Sequence, residues 1–118
     1  MWIAVILRQV PDVVEELVIA QDGRSLSEDD VMWITNEADE HALEEALILK
    51  GRHAAKVTAV GVGGDEAKDA LATAVAKGAD EAILLSDRPF AGADTLATSY
   101  TLTQAIQKLN RDLPVDLI

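Results

Sequence analysis

The sequence has no cysteine, and its aromatic content is 3%: two tryptophans, one tyrosine and one phenylalanine. Absence of cysteine excludes disulfides, thiolate chemistry and cysteine-ligated metals. No side chain is left that carries electrons by itself, so any redox role has to run through a bound cofactor. Histidine is scarce as well. His41 and His53 have no partner at metal-ligand spacing, and each reads as a solvated surface residue. Positive charge is short, with 10 basic against 21 acidic residues and a net charge of −11. Such a balance keeps a domain soluble and opposes binding to phosphate backbones and anionic membranes, which argues against a nucleic-acid partner. No long apolar run is present. The first apolar stretch, Trp2 to Leu7, is too short for a membrane span and has neither a basic leader nor a cleavage site, so membrane insertion is not expected. These absences fit a cytoplasmic location.

What is present is the composition of a soluble globular protein: 49% hydrophobic and 26% charged residues over 118 positions, enough for one α/β domain. Trp2–Leu7 reads as a buried strand ended by the Pro11-Asp12 break. Glu16–Ala20 and Val31–Thr35 read as two short strands joined through an Asp22-Gly23 turn, a small inserted β-ribbon. A helix is expected over Glu37–Lys50, with Ala42, Leu43, Ala46 and Leu47 on one face and Gly51 as its stop. The acidic face at Glu37, Glu40, Glu44 and Glu45 reads as solvated. Lys56–Val62 is a strand and Asp65–Lys77 a helix, its apolar side formed by Ala67, Ala70, Leu71, Ala74 and Val75. Glu81–Leu85 is a third core strand, Ala93–Asn110 a third helix, and Val115–Ile118 the start of a fourth strand. Alternation of this kind requires parallel pairing through crossovers. The expected fold is therefore α/β: a three-layer doubly wound sandwich with a mostly parallel sheet, truncated in the fourth core strand. Residues 1–118 then form a single adenine-nucleotide-binding-type α/β domain, incomplete at its carboxyl end. Ligands of such sheets sit beyond the carboxyl ends of the strands, where the winding reverses.

No nucleophile elbow, no Gly-x-x-x-x-Gly-Lys-Ser/Thr loop and no metal-ligand cluster is present. Gly61-Val62-Gly63-Gly64 lies between a strand and a helix, the setting of a backbone anion site, but equally that of a tight turn capped by Asp65. Asn36 and Asp39 bracket a helix start and admit two compatible readings, a variant capping box or contacts to the sugar or base of a nucleotide. Asp94, Thr95 and Thr98 open the third helix, where free backbone donors and hydroxyls suit phosphate or flavin oxygens as well as a plain helix start. Leu96 and Tyr100, one turn apart, read as core.

Several segments in order resemble the amino-terminal half of the β subunit of electron-transfer flavoproteins. Gln9-Val10-Pro11-Asp12 is similar to the exit of their first strand, and Glu40 through Lys50 resembles their Asp/Glu-x-x-Ala-x-Glu-Glu-Ala-x-x-Leu-Lys helix. Val57 to Gly63 is similar to their second core strand, and Ala76 to Asp87 to their Ala-x-Gly-Ala-Asp-x-Ala strand entry. The resemblance implies a heterodimer with an α subunit, shuttling electrons from flavin dehydrogenases to a quinone reductase or other acceptor. It implies an electron-carrier subunit rather than an enzyme in its own right, or else a part of a bifurcating oxidoreductase complex. The principal FAD lies mainly on the α subunit. The β subunit holds AMP in the ordinary branch and a second FAD in the branch linked to nitrogen fixation and electron bifurcation. The run Gly92-Ala93-Asp94-Thr95-x-Ala-Thr98, followed by Ser99-Tyr100-Thr101-Leu102, resembles the second branch.

Carried over by position, the resemblance implies nucleotide contacts at Ile6 through its backbone, at Asn36, Glu37, Ala38 and Asp39, and at Val62. Asp94, Thr95 and Thr98 are added in the FAD case. One departure is visible: where the family usually has Asn-Pro-aromatic-Asp/Cys, this chain has Asn36-Glu37-Ala38-Asp39, without the rigid proline and the aromatic wall. Two other readings stand beside this one, a non-redox nucleotide-binding regulatory module of the same winding and a structural subunit with an empty nucleotide site.

Overall fold

A computed structural model describes residues 1–14, 16–27, 29, 31–111 and 113–118. The chain runs β1 (Trp2–Leu7), β2 (Gln9–Pro11), β3 (Trp33–Thr35), α1 (Glu37–His53), β4 (Lys56–Val62), α2 (Ala67–Lys77), β5 (Glu81–Leu85), a 3-10 turn (Arg88–Phe90) and α3 (Thr95–Leu109). β1, β4 and β5 form a parallel sheet in that spatial order, with Ile3 opposite Val57 and Ala59 opposite Ala82. On the outer side of β1, Leu117 bridges Ile3 in parallel; Ala4 N donates to Leu117 O at 2.9 Å and Asp116 N to Trp2 O at 2.8 Å. The expected fourth strand is thus present beside the first, as one bridge rather than a ladder.

Strand alternation sorts the core into two faces. Ile3, Val5, Leu7, Val57 and Ala59 point to one side, where they pack with Leu43 and Ala46 of α1 and Leu71 and Ala74 of α2. Val60 and Ile83 point to the other, towards Ala105 and Leu109 of α3. Two crossovers therefore cover one face and the third covers the opposite face. The winding reverses at β1, and the layered, doubly wound α/β architecture follows.

The small antiparallel ribbon exists, and β3 lies within the expected Val31–Thr35, but its partner is β2 rather than Glu16–Ala20. β3 pairs with β2, Val10 opposite Ile34, and the bonds Asp12 N to Met32 O (2.8 Å) and Asn36 N to Arg8 O (2.9 Å) extend the ladder at both ends. Within Glu16–Ala20 only Ile19 makes a bridge, to Leu26 across the Asp22-Gly23 turn. The reason is burial: the excursion leaves Val13 79%, Val14 88% and Ile19 69% exposed, so apolar residues there have no face to cover. Pro11 sits at the end of a short edge strand, where a missing N–H costs little.

Helix limits also shift. Gly51 does not stop α1, which continues to His53 and ends on Ala54 in the left-handed conformation (φ 51°). Lys50, Arg52 and His53 in its last turn complement the partial negative charge of that end. α2 starts two residues late because the Asp65 carboxylate is held by Lys68 Nζ at 2.5 Å and does not cap. Its Val75 is exposed rather than apolar core. α3 spans Thr95–Leu109 rather than Ala93–Asn110, because the Asp94 carboxylate caps it by accepting from Ala97 N at 2.8 Å. Leu96 and Tyr100 are not core: they are 77% and 67% exposed on the outer side of α3. No helix among the described residues is long and apolar enough to cross a membrane.

Candidate functional site

Parallel strands end together, so the residues just after β1, β4 and β5 meet at one edge of the sheet. There they enclose a cleft of about 450 Å³, bounded on the far side by the approach to α3. That volume is in the range of sites that bury a small ligand. Three strand exits contribute to it: Ile6, Arg8 and Gln9 from β1, Val62, Gly63 and Gly64 from β4, and Ser86 and Asp87 from β5. Phe90 to Ala93, Thr98 and Leu102 close it from the α3 side. Ile6 and Val62 lie on the sheet face that α3 covers, since alternation from the buried Leu7 and Gly61 turns them away from α1 and α2.

The glycines here leave room for close neighbours. A Cβ on Gly61 would stand 3.4 Å from Leu7 O and from a Leu71 methyl, and one on Gly64 would stand 2.6 Å from Glu66 Oε2. The turn after β4 is held by Gly63 N donating to Leu85 O (3.1 Å) and by Gly64 N donating to Glu66 Oε1 (2.8 Å). The carboxylate of Glu66, not that of Asp65, folds back onto this turn. On the β5 side, Asp87 Oδ1 accepts from Arg88 N at 2.7 Å and so opens the 3-10 turn that presents Phe90.

Of the positions expected to contact a nucleotide, Ile6, Val62 and Thr98 line the cleft. Asn36 and Asp39 stand behind its β1 rim. Asn36 Oδ1 accepts from Ala38 N (3.2 Å) and caps α1, but Asp39 does not reach back to Asn36 as a capping box requires. Its Oδ2 instead accepts from Arg8 N at 2.9 Å and lies 3.6 Å from Arg8 Nε, tying the first turn of α1 to the end of β1. Glu37 and Ala38 are exposed on that first turn and do not line the cleft; Asp94 and Thr95 start α3 just outside it. Arg8, Glu66, Ser86, Asp87 and Phe90 line the cleft without having been singled out from the sequence. The signal that finds them is positional, because each strand exit of a parallel sheet faces the crevice.

The chemistry of the lining is uneven. Ile6, Val62, Ala91, Ala93, Leu102 and the Phe90 ring make an apolar slot suited to a planar ring, and Thr98 offers a hydroxyl. Among the described residues its charged groups are one cation, Arg8, and two carboxylates, Glu66 and Asp87. The residues present therefore fit the ring portion of a nucleotide or flavin better than its phosphates. Beside the β4 turn, Lys68 holds the Asp65 carboxyl below the usual aspartate range, and two further carboxyls are lowered at the opposite edge of the sheet. Lys50 and the Val57 amide hold Asp80 below the usual aspartate range, and Lys56 and Thr58 do the same for Glu81. Among the described residues no group of three or more histidines and carboxylates is placed to hold a metal ion.

Comparison with known proteins gives a consistent result. Residues 24–117 match the family described as the electron transfer flavoprotein domain. The chain is 50% identical over 113 residues to the electron transfer flavoprotein subunit beta of Clostridium acetobutylicum, covering 96% of this chain and 43% of that protein. It is 45% identical over 114 residues to protein FixA of Azotobacter vinelandii, covering 97% of this chain and 40% of the relative. It is 44% identical over 117 residues to the subunit beta of Megasphaera elsdenii, covering 98% and 43%. The chain thus spans about two fifths of the length of these curated relatives.

Proposed function

This chain belongs to the electron transfer flavoprotein domain family, and on that premise we propose that it acts as the β subunit of an electron-transfer flavoprotein. In this reading it pairs with an α subunit in the cytoplasm and carries electrons from flavin dehydrogenases to a quinone reductase or another acceptor through bound flavin. It is a carrier subunit with no reaction of its own to catalyse, and residues 1–118 are its adenine-nucleotide-binding-type domain. The observation that carries the reading is the convergence of Ile6, Val62 and Thr98, from three separate segments, on one cleft at the sheet edge.

A flavin bound there supplies the redox chemistry, and the chain's own residues bind and orient it. Ile6, Val62 and Phe90 cover the ring and keep water from it. Thr98, which lines the cleft from α3, would offer its hydroxyl there, where a donor favours the form that gains electron density on reduction. Asn36 and Asp39 fix the β1 rim. We take the second nucleotide of the dimer to be FAD rather than AMP, because Thr98, the one of the three residues at the start of α3 that lines the cleft, is of no use to AMP so far from a phosphate loop. The principal FAD then lies mainly on the α subunit.

Acid extraction of the purified heterodimer, with chromatography of the released nucleotides, tests this. Two flavins per dimer are expected, and replacing Thr95 and Thr98 with valine should lower the occupancy or shift the potential of one flavin only. One flavin with stoichiometric AMP would refute the second FAD. A colourless protein with neither flavin nor AMP would refute the carrier reading itself.

A further inference from the structure

The turn after β4 looks like an anion cradle in sequence, and the structure fills it from within. Gly63-Gly64 precedes α2, and the amide of Gly64, which would face an incoming phosphate oxygen, already donates to Glu66 Oε1 at 2.8 Å. Both carboxylate oxygens crowd the turn: a Cβ on Gly63 would be 3.1 Å from Oε1, and one on Gly64 2.6 Å from Oε2. Only the missing side chains of the two glycines let the carboxylate lie there. A phosphate reaching this turn would have to expel the carboxylate and then remain beside its charge, with Asp87 on the opposite wall and Arg8 already drawn to Asp39.

We propose that Glu66 is a specificity-determining residue, an internal occupant of the Gly63-Gly64 turn that bars phosphate from this end of the cleft. The ligand is thereby oriented with its uncharged ring against Val62 and its phosphates directed away from α2. The choice of ring rests on the nucleotide reading above; the exclusion of phosphate does not.

The test compares wild type, Glu66→Gln and Glu66→Ala in the purified protein, titrated calorimetrically with inorganic pyrophosphate, adenosine and AMP. Removing the charge and the occupant together should strengthen pyrophosphate binding about tenfold in Glu66→Ala. Glu66→Gln, whose amide oxygen still accepts from Gly64 N, should gain less. Adenosine should bind all three proteins equally, so the ratio of AMP to adenosine affinity rises only through the phosphate. Equal pyrophosphate affinity in all three folded proteins would overturn the proposal, as would a fall in that ratio for Glu66→Ala. Should Glu66→Ala fail to fold, Glu66→Gln decides alone, and an unchanged pyrophosphate affinity overturns the proposal. If pyrophosphate binding rises while adenosine, AMP and FAD bind to none of the proteins, the role of Glu66 stands and the nucleotide reading falls.

Discussion

Thr58→Val isolates a polar chain that crosses the sheet at the edge opposite the cleft. Trp2 Nε1 donates to Thr58 Oγ1 at 2.7 Å, and Thr58 Oγ1 donates to Glu81 Oε1 at 2.7 Å. Lys56 closes the group, with Nζ 2.7 Å from Glu81 Oε1 and 4.5 Å from the centre of the Trp2 ring. Thr58 is fully buried and Trp2 almost so, and water does not replace a lost partner there. Valine keeps the shape and removes both hydrogen bonds. The indole N–H is then left unsatisfied, at a cost of about 1–3 kcal/mol, while Glu81 keeps Lys56. A net loss of about 2 kcal/mol corresponds, for a domain of this size, to a fall in Tm of roughly 6–10 °C. Urea unfolding followed by far-UV circular dichroism measures it. Trp2→Phe removes the donor, so Thr58→Val in that background should cost about 1 kcal/mol less than in wild type. Additive effects within about 0.3 kcal/mol, or a single-variant cost below about 0.5 kcal/mol, would refute the reasoning by showing that the indole finds water.

Stability should fall with acid through Asp80 and Glu81. Both carboxyls are held below their ordinary values of 3.8 and 4.5, so they bind fewer protons folded than unfolded just below those values. Their contribution is complete above pH 4.5 and drains away as the pH drops through the lowered folded values, and Asp80→Asn should flatten the Tm profile over that range. Asp94→Ala removes the cap of α3 and should cost about 1 kcal/mol, read by urea unfolding, with faster amide exchange confined to the first turn of that helix.

Strand positions were legible because burial writes itself into composition. The runs Trp2–Leu7, Lys56–Val62 and Glu81–Leu85 have the limits expected of them: β1 and β4 are buried along nearly their whole length, and β5, half-buried at the sheet edge, is still apolar from Ala82 to Leu85. The first strand of the ribbon is not Glu16–Ala20 for the converse reason: Val13, Val14 and Ile19 have the residue types of a strand without a surface to pack on, and β2 is too short and too close to a proline to announce itself. Asn36 was legible as a cap, whereas the partner of Asp39 was not. Arg8 lies 31 positions away, and only the meeting of β1 with the start of α1 brings them together. Glu66 escaped notice because glycine pairs before a helix advertise a vacancy, and nothing local says that a side chain two residues on has filled it.

The reversal of winding at β1 has a bearing on how the chain acquires its fold. β1 is made before the strands it pairs with, and its inner edge is matched by β4 within some fifty residues of synthesis, Trp2 opposite Lys56. Among the described residues its outer edge is matched by Asp116 and Leu117, and Trp2 N meets Asp116 Oδ2 across 114 positions. Closing so long a loop adds little to the entropy cost, which grows only with the logarithm of loop length. Time is the greater burden. Throughout elongation the strand at the middle of the finished sheet is an unpaired border, apolar on both sides and offering amides and carbonyls to any neighbouring chain, the circumstance in which nascent sheets associate wrongly.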